Sequence, residues 1–195
     1  MKDRMYKYIK AMLVIITPFS FIYAAYAESP PLPRSVQLSV SEIFIENEDS
    51  IKKVIGTIPK PAYSKDYFLG NCVLNADKSE ILILEFHSGN TAGNYSEFTV
   101  RNNQNENAKC LEPLAKIEHF KTESGIHLGI SPNYLYSILG KPNFVKEKKK
   151  QLQVRYVIED DKSSFLESYN MPVYYGEYYF KDNSLLVIKF GFEYP

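Results

Sequence analysis

The sequence predicts an α+β fold: short helices packed on an antiparallel sheet, arranged as two tandem helix-plus-strand modules. Three observations carry this expectation. Several stretches alternate apolar and polar residues with the period of a half-buried strand, such as Leu152, Val154, Tyr156 and Ile158. Two short apolar runs at helical spacing are each closed by glycine. The order of these elements recurs along the chain.

The first 27 residues stand apart. Lys2, Arg4, Lys7 and Lys10 precede the apolar run AMLVIITPFSFIYAA, and Ala25-Tyr26-Ala27 presents small residues at the positions a signal peptidase reads. Residues 1–27 are therefore expected to be a cleaved secretory signal, placing the protein in a bacterial periplasm or outside the cell. A membrane anchor is the competing reading. The apolar run falls short of the roughly 20 residues a spanning helix needs, and Pro18 interrupts it. No cysteine follows the cleavage site, so neither a lipid nor another stable membrane anchor is expected after cleavage.

Cleavage removes four of 23 basic and one of 23 acidic residues. That leaves 19 against 22, a net charge of −3. This balance argues against a nucleic-acid partner, which selects for a basic excess. The remaining 168 residues can bury a real core. Cys72 and Cys110, an even pair in an exported chain, are expected to form a disulfide.

Residues 28–34, ESPPLPR, should form an extended proline-rich arm. SVQLSVSEIFIE alternates Val36, Leu38 and Val40 on one face and predicts a strand. Asn47 or Asp49 can cap a short helix with Ile51, Val54 and Ile55 on its inner side, and Gly56 ends it. Two strands joined by a turn around Asn75–Lys78 follow, with Ile81–Leu84 apolar enough to be covered on both faces. YSEFTV is a further strand. The first module thus spans 35–100, and an Asn-rich connection, 101–109, leads to the second, 110–195. There AKIEHFKTESGIHLG resumes strand character. Ser131 caps a helix with Pro132 at its first position, Leu135, Ile138 and Leu139 form one face, and Gly140 and Pro142 terminate it. KEKKK, Lys146–Lys150, reads as a charged hairpin tip. QLQVRYVIED is strand, DDKSSFLESYNMP a loop with room for a short helical turn, and VYYGEYYF with SLLVIKFGFEYP a final hairpin turning at Lys181–Asn183.

Self-similarity underlies the tandem reading. Ile51, Val54, Ile55 and Gly56 fall on Leu135, Ile138, Leu139 and Gly140 at an offset of 84, and Ile81–Phe86 fall on Leu185–Phe190 at an offset of 104. The run GIHLGISPNYLYSILGKPNFVKE places Gly125, Gly129, Ser131, Leu135, Leu139, Gly140 and Pro142 in a pattern of glycine, cap, apolar pair and Gly-x-Pro stop. Followed by strands ending in YYFKDNSLLVIKF, this resembles exported bacterial modules of the beta-lactamase-inhibitory-protein-like fold and the small outer-membrane assembly lipoproteins that share its plan. Residues 116–195 match well and 36–100 loosely. Gly56-Thr57-Ile58-Pro59 departs from the Gly-x-Pro spacing, Glu46 stands near an expected glycine, and the lipid-attachment cysteine is missing. The resemblance implies a fold module and no particular chemistry.

No nucleophile elbow, phosphate-binding loop or zinc-protease motif occurs, so no catalytic site and no cofactor are expected. His119 and His127, with Glu118 or Glu123, could in principle form a metal set, and Glu159-Asp160-Asp161 a loose calcium site; the histidine spacing follows no recurring signature and the acidic run suits a solvated loop, so no metal is expected. His87 is the third histidine. The conspicuous feature is aromatic. The chain has 16 tyrosines and no tryptophan, and Tyr174, Tyr175, Tyr178 and Tyr179 crowd one strand. Alternation sends Tyr175 and Tyr179 to one face, and Tyr174, Tyr178 and Phe180 to the other. One set should pack beneath the helices. These four tyrosines are the candidate surface for another protein, because tyrosine offers rigid area with a polar tip; ordinary strand filling is the competing explanation. In the resembled fold, inhibitors grip their partner with the sheet face. The expected function is an exported, non-catalytic, inhibitor-like or envelope-associated binding module, with a periplasmic small-ligand carrier or cavity-type enzyme as the alternative.

Overall fold

The computed structural model describes residues 32–56, 70–86, 94–104 and 110–193. The expected signal, most of the proline-rich arm, His87 and part of the Asn-rich connection lie outside them. Among the described residues the chain order is β1 (Ser39–Val40), β2 (Ile43–Phe44), α1 (Glu48–Val54), β3 (Gly70–Leu74), β4 (Glu80–Glu85), β5 (Glu97–Asn102), α2 (Pro132–Leu139), β6 (Phe144–Lys148), β7 (Gln151–Ile158), α3 (Ser164–Tyr169), β8 (Val173–Lys181) and β9 (Ser184–Glu193). The structure is predominantly antiparallel sheet with short helices.

Seven strands form one sheet in the order β3-β4-β5-β9-β8-β7-β6. The expected division into separate modules is therefore not seen as such. Strands from either side of residues 105–109 belong to the same sheet, joined where β5 pairs with β9 from Glu97↔Gly191 to Arg101↔Val187. The hairpin likeness also misleads about position. It equates β4 with β9, yet β9 lies at this junction and β4 one strand away from it. Gly191 makes the junction possible: a Cβ there would stand 2.3 Å from the Ser96 carbonyl oxygen, which accepts a bond from Phe192 N at 3.1 Å.

The strands follow the expected alternation. Val154 and Tyr156 of β7, Tyr174, Tyr178 and Phe180 of β8, Ile188, Phe190 and Phe192 of β9, Phe98 and Val100 of β5, and Leu82 and Leu84 of β4 all reach one core. On β9, Leu185 and Ile188 are three residues apart and still both buried, because a bulge opposite Tyr179–Phe180 inserts one extra residue. The turn before β9 takes Asp182 and Asn183 through positive φ of 49° and 66°, which suits these side chains in a two-residue hairpin.

The helices lie on the core side. Asn47 caps α1 by accepting from Ser50 N, and Ser131 caps α2 by accepting from Tyr134 N; Gly140, at φ 81°, ends α2 with its N–H on the Tyr136 carbonyl. Leu135 and Leu139 of α2 enter the core. The stretch expected as loop contains α3, capped by Ser163 and closed by left-handed Asn170. Its Phe165 stacks edge-on against Tyr174 at 5.5 Å between ring centroids.

Three expectations about strands are corrected. The strand expected over residues 35–46 breaks at Ser41 and Glu42, both at positive φ, leaving only the β1–β2 hairpin. Residues 36–40 are held by the other half of the chain instead. The Glu123 carboxylate accepts from Leu38 N and Ser39 N at 2.5 and 2.9 Å, and Gln37 N donates to Tyr174 Oη at 2.7 Å. The stretch after Cys110 supplies single bridges, Lys121↔His127 among them, rather than a strand. Conversely, Phe144–Lys148, three of whose five residues belong to the expected hairpin tip, forms β6.

The bridge between Cys72 and Cys110 is formed, with 4.7 Å between the Cα atoms. It fastens the following segment along β3, where Leu111 N donates to Cys72 O at 2.8 Å and Leu114 N to Leu74 O at 2.9 Å.

Candidate functional site: the outer face of the sheet

Residues on β8 alternate between the helix-covered core and the opposite, outer face. Tyr174 and Tyr178 are fully buried in the core, so these two are corrected from surface candidates to core residues. The physical reason is strand parity: they share a face with Phe180, beneath α3. Tyr174 Oη bonds both the N–H and the carbonyl of Gln37, each at 2.7 Å. Tyr178 Oη has no hydrogen-bond partner among the described residues. Burial raises both phenols well above the usual tyrosine range.

Tyr175 and Tyr179 stand on the outer face, at opposite ends of a polar network. Cross-strand register assembles it. The pairings Arg155↔Glu177↔Lys189↔Thr99 run across β7, β8, β9 and β5. Arg155 forks between two carboxylates, Nη1 to Glu177 Oε1 at 2.7 Å and Nη2 to Glu193 Oε1 at 2.6 Å. Its guanidinium carbon sits 5.2 Å from the Tyr175 ring centroid, and Lys189 Nζ lies 5.9 Å from the same ring. Tyr175 itself is only 3 % exposed, and its hydroxyl donates to Glu97, which also takes Lys189 Nζ at 2.7 Å. Tyr179, half-buried, donates to Glu177 Oε2 at 2.5 Å and accepts from Gln153 Nε2 at 3.1 Å. Burial, then Glu177, pushes the Tyr179 phenol up to about 12. The solvent-facing parts of this network are thus Arg155, Glu193, Lys189 and Tyr179, with Tyr175 as a packed floor.

On the β4 side, Glu85 lies directly across from Glu97. Burial, then the neighbouring Glu97 carboxyl, raises Glu85 to about 7, against the partial relief of Lys189 and Thr99. Glu85 therefore holds its proton to a higher pH than an ordinary carboxyl and can donate to Glu97.

The charged members of this network were missed by reasoning that followed the tyrosines alone. The signal was present: Glu177 sits two residues from each outward tyrosine, and Arg155 and Lys189 interrupt apolar strands at outward positions. Register between strands, which brings them together, is not written in any one strand.

The histidines go elsewhere. His119 Nδ1 is 2.9 Å from Glu80 Oε1, while His127 Nδ1 is 2.8 Å from the Leu128 carbonyl oxygen. Among the described residues no group of three or more His, Cys, Asp or Glu could hold a metal ion. No described helix is long and apolar enough to cross a membrane. Comparison with family models, with curated proteins and with solved structures finds no match to this chain.

Proposed function

We propose that this chain is an exported, non-catalytic binding protein that engages another protein through the outer face of its sheet. The observation that carries the reading is the network joining Arg155, Glu177, Glu193 and Lys189 around Tyr175 and Tyr179. Ion pairs that are already formed hold long side chains in fixed positions, which lowers the ordering cost of a contact made on top of them. Arginine and tyrosine are also the residue types on which binding energy concentrates. Export rests on the basic, apolar and Ala-x-Ala succession of residues 1–27.

The tandem origin belongs to the same proposal. Strands β3–β5 follow the capped helix α1 and strands β6–β9 follow the capped helix α2, with α3 between β7 and β8, and the last strands of the two runs meet antiparallel, as a local two-fold axis between β5 and β9 requires. The resemblance to inhibitory-protein-like modules agrees with this arrangement.

The test is quantitative capture from envelope and culture-medium extracts, using purified protein and a Tyr179→Ala/Glu193→Ala variant. The expected result is retention of a defined partner by the wild type and at least about tenfold weaker retention by the variant, the scale of one hot-spot residue. Unchanged melting temperature confirms that the variant is folded. Equal retention by both proteins removes this face from the function.

A further inference from the structure

The two edges of the sheet are treated differently. At β3 the free edge is hydrogen-bonded by the segment after Cys110 and fastened by the disulfide. At β6 no strand is paired on the far side among the described residues, and all five of its residues are exposed. Phe144 and Val145 are 62 % and 54 % exposed, unusual for large apolar side chains on an unpartnered strand.

β6 has two distinct sides. Phe144, Lys146 and Lys148 share the outer face with Arg155 and Gln153, their cross-strand neighbours, whereas Val145 pairs with buried Val154 and points toward the helix layer. Beside Val145 lies a shallow groove of about 600 Å³, lined by Tyr136, Gly140, Pro142 and Val145 together with Lys141 and Asn143. The charge here runs against the rest of the mature chain. Residues 141–150 carry five lysines and one glutamate.

We propose that β6 is a docking edge for an extended segment of a partner protein in which acidic residues alternate with apolar ones. Such a segment adds an eighth strand, its backbone bonding the free edge of β6. Its apolar side chains enter the groove beside Val145 and Tyr136, and its carboxylates line the outer face against Lys146 and Lys148. The period of two in the occupant follows from the period of two in β6. The lysine excess of this edge favours an acidic occupant over a second copy of this chain. In the best-overlapping symmetric pairing, Lys146 faces its own copy, and like charges directly opposed are unfavourable. This edge adjoins the outer-face network at Arg155 and Gln153 but binds through the β6 backbone and the groove beside Val145, so loss of peptide binding and loss of partner capture are read separately.

The experiment titrates the purified protein with a capped heptapeptide alternating glutamate and valine. Its controls are the lysine–valine counterpart and the glutamate–valine peptide N-methylated at alternate amides, with phosphatidylglycerol vesicles and inorganic polyphosphate as separate arms. The expected result is salt-sensitive binding of the acidic peptide, about tenfold tighter than the lysine peptide as a few screened ion pairs allow, and abolished by N-methylation. Amide hydrogens of residues 144–148 gain exchange protection, and a Lys146→Glu/Lys148→Glu variant reverses the peptide preference. Equal binding of the two acidic peptides, or binding of vesicles or polyphosphate without the acidic peptide, overturns the proposal in favour of a generic anion surface. Absence of any acidic-peptide binding overturns it outright.

Discussion

Tyr174 and Tyr178 occupy the same core four residues apart, and their hydroxyls meet opposite fates. Tyr174 Oη satisfies both backbone groups of Gln37, whereas Tyr178 Oη meets no partner among the described residues. Removing the first hydroxyl leaves a buried N–H and carbonyl without it; removing the second relieves an unpaired group. Tyr174→Phe should therefore destabilise by about 1–3 kcal/mol, and Tyr178→Phe should be neutral or stabilise by up to about 1 kcal/mol. Urea unfolding of the two variants checks this, and equal losses in both contradict it. The sorting of four tyrosines onto two faces was legible from alternation alone. Which face carried the helices was not, because that depends on α3, whose six residues are too few to declare themselves by periodicity. Nor could the Gln37 contact be read, since its partner lies 137 positions away.

At the scale of elements, helix ends were the most legible features. Asn47, Ser131 and Gly140 act through neighbours three or four residues away, so local chemistry determines them. Strand β6 was missed because four lysines in its vicinity look like a turn; an unpartnered edge has no alternating apolar face to display. The outer-face network was only half legible, for it arises between strands. Glu85 on β4 and Glu97 on β5 show what pairing adds. Glu85 titrates at about 7 in the folded chain against an ordinary value of 4.5, so the folded state holds the extra proton between those pH values. Stability from this group is present below the lower value and declines as pH rises through the window. Glu85→Gln, which is uncharged throughout, should flatten that decline and melt at a higher temperature than wild type above pH 7. Thermal melts between about pH 4 and 8 read it directly. Parallel curves for the two proteins contradict the assignment.

For the whole molecule, the sequence pointed to the disulfide and to helices on an antiparallel sheet, while the tandem modules are not clearly distinct in the single seven-stranded sheet. Helix and hairpin likenesses are local, while the pairing of β5 with β9 and the clamp of Glu123 on Leu38 and Ser39 depend on distant residues meeting. The bridge between Cys72 and Cys110 closes a separation of 38 residues and secures one sheet edge. Reduction should lower unfolding stability by about 3–4 kcal/mol on the chain-entropy account, with amides of residues 72–74 and 111–114 losing exchange protection first. An unchanged denaturation midpoint in reductant contradicts this.

The position of β9 bears on how the chain reaches its fold. It follows every other described strand in sequence, yet it is the fourth of seven across the sheet. Until residues 184–193 slot between β5 and β8, the earlier strands remain two ribbons with facing raw edges and a divided apolar layer. Joining the two ribbons is accordingly governed by contacts of long sequence separation, which slow folding. For the export proposed above, such an order would leave any prefix ending before residue 184 without the strand that joins the two ribbons.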